Sequence, residues 1–176
     1  MKLNKIVMAI VLAGSVVSFA QAKDQGHGTV TFVGSIIDAP CSISPDSIDQ
    51  TVKLGEISNV ALNANGNTGS SIPRPFEIKL ENCDTTTQKT VTATFTGAED
   101  SAVANHLGIT GTASGAGIVL TDGSGKPIEL GKPTDAHMLQ DGNNTLMFSA
   151  YLQGDGASAV VPGDFSAIAD FTLAYQ

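Results

Sequence analysis

The sequence has no tryptophan, two cysteines, three histidines and only nine basic residues among 176. Against that scarcity of Lys and Arg stand 17 acidic residues, a formal charge of −8. Nucleic acid is therefore excluded as a partner, because neutralising phosphates needs a basic surface. The few histidines leave little for a metal centre: His27, His106 and His137 share no ligand spacing, and no metal site is expected. No C-x-x-C pair points to redox chemistry, and no G-x-S-x-G elbow points to a hydrolase. Gly123-Ser124-Gly125-Lys126 has the outline of a phosphate loop, but Leu120 stands where glycine is required and Pro127 replaces the hydroxyl residue. Asp141-Gly142-Asn143-Asn144 is too short for a calcium loop. No catalytic residue and no cofactor are expected, and the chain reads as a non-enzyme. Charged residues are also few, at 15%, while hydrophobic residues reach 41%, which excludes a disordered acidic tail.

What is present starts with an export signal. Lys2 and Lys5 precede an apolar run from Ile6 to Ala13, and Ala20-Gln21-Ala22 matches an A-x-A cleavage site. Gly14, Ser15 and Ser18 interrupt the apolar stretch before it reaches the ~20 residues that span a bilayer. Residues 1–22 are thus expected to be a cleaved signal peptide. Loss of its two lysines takes the formal charge to −10. Export to an oxidising compartment makes a disulfide between Cys41 and Cys83 the expected state. They lie 42 positions apart, and closing a loop of that length stabilises by about 4 kcal/mol in the chain-entropy account.

The rest alternates apolar and polar residues at period two, the pattern of half-buried strands. Val30, Phe32 and Ile36 share one parity, with Gly26, Gly28 and Gly34 completing the row. Further rows are Phe76-Ile78-Leu80, Val91-Ala93-Phe95, Ile118-Leu120, Ile128-Leu130, and Leu146-Phe148-Ala150-Leu152. A last row runs from Phe165 through Phe171 and Leu173 to Tyr175. Asp122-Gly123-Ser124-Gly125 reads as a hairpin turn. Residues 63–75 and 96–117 read as loops, the second with room for a short helical turn over 99–107. Glycine, at 19 residues, supports many tight turns. Some seven strands after the leader predict an immunoglobulin-type β-sandwich. The apolar row at 24–33 either folds back on its own sheet or pairs with an open edge of another chain.

Specific residues then carry a resemblance. Gly26-x-Gly28-x-Val30-x-Phe32-x-Gly34, followed by Ile36-Ile37-Asp38-Ala39-Pro40-Cys41, resembles the start of major pilin subunits of the chaperone–usher pathway, in the P-pilus and mannose-resistant Proteus-like fimbrial branch. Leu80-Glu81-Asn82-Cys83, Val161-Pro162-Gly163-Asp164-Phe165 and the closing Leu173-Ala174-Tyr175-Gln176 continue it. Gly163, fourteenth from the end, and the penultimate Tyr175 are hallmarks of that family. The likeness covers the whole chain after the leader.

The resemblance implies an all-β, incomplete immunoglobulin-like β-sandwich that lacks its last strand and is completed by a donor strand from another chain. Residues 23–33 would be the donor extension, with Gly26, Gly28, Val30 and Phe32 facing inward, and 34–176 the pilin domain. The acceptor groove, which also binds the chaperone, would run along the final strand past Gly163, Phe165, Phe171, Leu173 and Tyr175. Gly163 would serve as a plain turn or leave room for the incoming strand. The implied partners are further copies of the chain, a periplasmic chaperone and an outer-membrane usher, with a host-cell surface as a further possibility. The implied function is a structural fimbrial subunit that reaches the cell surface through the periplasm and supports adhesion. A minor or adaptor pilin, or a pilin-like protein that itself binds or damages host cells, are the alternatives.

Overall fold

The computed structural model describes residues 27–176. The leader and Gly26 of the expected donor row lie outside them. The chain divides into an N-terminal unit ending at Ile36 and a domain, Ile37–Gln176. Residues 27–38 form no helix or strand.

In the domain, alternation becomes a sandwich. Strands β1 (Ser42–Ile43), β2 (Arg74–Cys83), β4 (Leu107–Gly108), β6 (Ala116–Asp122) and β8 (Gly142–Gly154) make a five-stranded sheet, ordered β1-β2-β8-β6-β4. Strands β3 (Thr90–Gly97), β7 (His137–Met138) and β10 (Ala169–Tyr175) make a second sheet, ordered β10-β3-β7. A short ribbon pairs β5 (Thr110–Gly111) with β9 (Phe165–Ser166). Every named pairing is antiparallel. The helical elements are single turns, α1 (Pro45–Ile48) and α2 (Asn59–Leu62), followed by a tight turn at Ala64–Asn67.

Period two places one parity of each strand in the core. On β2 that parity is Ile78 and Leu80, both with no exposed surface. Opposite them in register stand Leu146 and Asn144 of β8. Asn144 is the polar member of a buried row, and Gln140 satisfies it: its carboxamide oxygen accepts from the Gln140 N–H (2.9 Å) and its nitrogen donates to the Gln140 carbonyl (2.7 Å). Phe76 stacks on Phe148 at 5.5 Å, and Phe95 meets Phe148 edge-on at 5.0 Å, joining the two sheets. Cys41 and Cys83, both buried, form a disulfide that ties the segment before β1 to the end of β2.

Two expectations change. Residues 96–117 are not a plain loop, since β4 and β5 lie within them. The stretch 99–107 holds no helix. It folds as a bridged loop, with Glu99 opposite Leu107 and the Gly108 N–H donating to the Ala98 carbonyl at 2.8 Å. The loop lies against β6, with Asp100 and His106 beside Gly117, and Val119 on that strand is 3% exposed. The 122–125 turn forms as expected, with the Gly125 N–H donating to the Asp122 carbonyl. Its return arm is short: the Lys126 carbonyl accepts from the Asp122 N–H at 3.0 Å and the Ile128 N–H donates to the Leu120 carbonyl at 2.9 Å.

Candidate functional site: an open groove beside the last strand

The final strand lies at the edge of its sheet and, among the described residues, pairs only with β3. Gln176 and Thr90 exchange both backbone hydrogen bonds, at 2.9 Å each. Antiparallel alternation then directs the backbone groups of Ala174, Thr172 and Asp170 toward β3. Those of Phe171, Leu173 and Tyr175 point to the opposite edge, where no strand of the described residues pairs with them. The same three residues carry the inward side chains, half-buried and packed on the core.

Facing that edge is a segment that forms no strand, residues 50–58, with Val52, Leu54 and Ile57 half-buried. Between the two lies a groove of about 1050 Å³. Its floor is the core itself: Ile78, Phe95, Ile118, Leu120 and Leu152 all reach it. Its rim carries apolar side chains open to water, Ile48 (58%), Val161 (50%) and Ile168 (79%). An apolar trench of this size, bordered by a strand with unpaired N–H and C=O groups, fits an extended peptide better than a small polar ligand.

The expected acceptor residues fall in two groups. Gly163, Phe165 and Phe171 line the groove. Leu173 and Tyr175 continue the same inward row beyond it, packed on the core. Phe171 reaches Phe95 at 6.4 Å between ring centres. The Tyr175 hydroxyl is buried with no hydrogen-bond partner among the described residues, and burial pushes its pKa up. Gly163 has a reason inside its own subunit: a Cβ there would stand 2.5 Å from Thr112 Oγ1 and 2.6 Å from the Ala113 nitrogen.

Of the expected donor residues, Gly26 is outside the described range. Gly28 is exposed, and a Cβ on it would meet nothing within 4 Å. Val30 is 74% exposed and Phe32 90%. The exposed row goes on past the expected end of the extension, through Val33 and on to Ile36, which is fully exposed. The structure also supplies what sequence reasoning missed, the opposite wall at 50–58 and the rim residues Ile48 and Ile168. Val52 and Leu54 alternate with Lys53, but Gly55 and Glu56 break the period before Ile57.

A sandwich with an apolar trench where a seventh strand belongs defines a class, the incomplete immunoglobulin-like subunits of chaperone–usher pili. Two solved structures share it. The P pilus rod subunit PapA superposes with a TM-score of 0.70 at 36% identity, covering 78% of this chain and all of that one. A subunit of a chaperone–usher pilus studied for rod uncoiling gives 0.79 at 37%, covering 89% of this chain and all of that one. Residues 30–176 match the fimbrial protein family, and the chain belongs to it. It is 66% identical to the Fimbria A protein of Serratia marcescens and 57% identical to the major MR/P fimbria protein of Proteus mirabilis, each over the full length of both chains. It is a structural subunit of a surface fimbria.

Proposed function

We propose that this subunit polymerises head to tail by donor-strand exchange, the extension of one copy filling the groove of the next. The observation that carries the reading is the match between a vacancy and a surplus. The groove beside β10 runs over the core between exposed apolar rim residues, Ile48, Val161 and Ile168, and the N-terminal segment holds Val30 and Phe32 of the extension, and Ile36 just past it, in water on one parity. Burying Val30 and Phe32 would contribute about 1.5–3 kcal/mol each. Each hydrogen bond formed along the free edge would add roughly 0.5–1.5 kcal/mol net. One tail and one groove per copy make a heterologous contact, which propagates as an open filament when its rotation does not close.

The same groove needs temporary cover before assembly, which a periplasmic chaperone strand would give, with exchange at an outer-membrane usher. Residues 1–22 would be removed on export. Identity to the major MR/P fimbria protein favours the major subunit over an adaptor role, and adhesion is the use such a filament serves.

Deleting residues 23–33 tests the reading. The variant is expected to accumulate in the periplasm bound to its chaperone and to yield no filaments in electron micrographs of sheared surface protein. Filaments of ordinary length from that variant would overturn the assignment of the tail.

A further inference from the structure

We infer that Asn65 is a site of spontaneous covalent modification, converting through a succinimide to aspartate and isoaspartate. Four Asx-Gly pairs occur in the described residues, and they differ in what holds the side chain. Asp122 Oδ1 accepts from the Ser124 and Lys126 N–H groups and from the Ser124 hydroxyl. Asp141 Oδ1 accepts from the N–H and hydroxyl of Thr85. Asp155 Oδ1 accepts from the Ala157 and Ser158 N–H groups. Each of these carboxylates is pinned, and an ionised carboxylate resists attack by nitrogen.

Asn65 differs on both counts. Its side chain is a neutral carboxamide with no hydrogen bond among the described residues. Asn65 and Gly66 are both exposed, and a Cβ on Gly66 would meet nothing within 4 Å. Both residues lie in the left-handed region, at φ 54° and 74°, inside the Ala64–Asn67 turn. Glycine at 66 adds no side chain to hinder its own nitrogen. Buried Asn144, by contrast, is tied to Gln140, and the Asn63 carboxamide oxygen accepts from the Val160 N–H at 2.8 Å. Every other described asparagine precedes a residue bulkier than glycine.

The chemistry balances without an oxidant or cofactor. Base removes the Gly66 amide proton, and the nitrogen attacks Cγ of Asn65. The bond from Cγ to the carboxamide nitrogen breaks, and ammonia leaves. Water then opens the five-membered imide at either carbonyl. One route leaves aspartate at this position, the other isoaspartate with one extra carbon in the main chain. Each product gains a negative charge. The isoaspartyl form also lengthens a turn whose ends are pinned, since the Gly69 N–H donates to the Leu62 carbonyl (3.0 Å) and the Gly156 N–H to the Asn67 carbonyl (2.9 Å). Leu62, three residues before Asn65, lines the groove.

The test uses assembled fimbriae purified from cells and held at mildly alkaline pH. Peptide mapping by mass spectrometry, with isoaspartyl methyltransferase labelling, follows each asparagine over time. Asn65 is expected to convert at least an order of magnitude faster than any other asparagine. Isoelectric focusing should show an acidic form growing at the same rate, and Asn65→Asp fimbriae, which start with the charge, should show no further shift. The inference is overturned if Asn65 keeps its amide in folded fimbriae while converting in the same fimbriae unfolded by denaturant. It is equally overturned if another asparagine converts first, or if Asn65→Asp fimbriae acidify at the parent rate.

Discussion

At the scale of single residues, space and charge set the outcome. Gly163 stands against the backbone of Thr112 and Ala113, and the carbonyl of neighbouring Asp164 accepts from the N–H groups of both. Gly163→Val should therefore destabilise the subunit by about 1–3 kcal/mol, the usual cost of overpacking. The urea midpoint of subunit complemented with donor peptide would register the loss even with the groove filled. His106 makes a second case. Burial holds its pKa below the ordinary value, with Asp100 partly opposing, and its Nδ1 is buried with no partner among the described residues. The unfolded chain takes up this proton near about pH 6.5 and the folded chain only at lower pH, so stability falls as pH drops from 6.5 toward the folded value. Above that window the group contributes no slope. His106→Gln should flatten the acid limb in urea titrations between neutral and mildly acidic pH, and an unchanged limb would assign that slope elsewhere. The resemblance placed Gly163 at the groove but not its crowding against Thr112 and Ala113, and His106 was legible only as a histidine. A sequence shows a glycine or a histidine but not the backbone folded against it from distant parts of the chain.

Strands and loops were legible in proportion to their length. The rows at 76–80, 91–95 and 146–152 each became a strand of the expected parity, because five or more residues of alternation leave one face to bury. The last row became two strands. Phe165–Ser166 pairs with β5, and Ala169–Tyr175 pairs with β3. The break at Ala167-Ile168 comes from a change of partner, which leaves no mark on the alternation. Two-residue strands such as β4 and β5 are too short to show a period at all, and that is why 96–117 read as loop. Parity also makes a paired prediction on β10. Phe171→Asp puts a charge among groove-lining apolar groups and should abolish filament formation, while Thr172→Asp on the exposed parity should leave filament yield within about twofold, consistent with the ±0.5 kcal/mol usual for surface changes. Equal loss in both variants, counted on micrographs of sheared protein, would show that the face of the strand does not matter.

For the whole molecule, the defining feature is an apolar groove beside β10 that the described residues leave unfilled. The alternation announced a sandwich and the terminal motifs announced its family resemblance, but the groove could be located only once 50–58 and β10 faced each other across the core. A peptide of residues 26–36 added in trans to subunit lacking its own extension should raise the melting temperature. Saturation at a hundred times the dissociation constant corresponds to about 2.7 kcal/mol. A peptide with Val30 and Phe32 replaced by serine should give little shift. The disulfide acts on the same balance. Cys41→Ser should cost about 2–5 kcal/mol and reduce the periplasmic yield of chaperone-bound subunit, read from quantitative blots.

The vacant edge of β10 runs lengthwise along the strand, from Phe171 to Tyr175. A tail lying in that slot and tugged along the fibre would load its backbone bonds in shear, all together, and not peel them one by one. Rupture would then demand that the whole ladder give way at once. A tail held that way would resist traction, as in fluid flow, better than one whose bonds opened in turn.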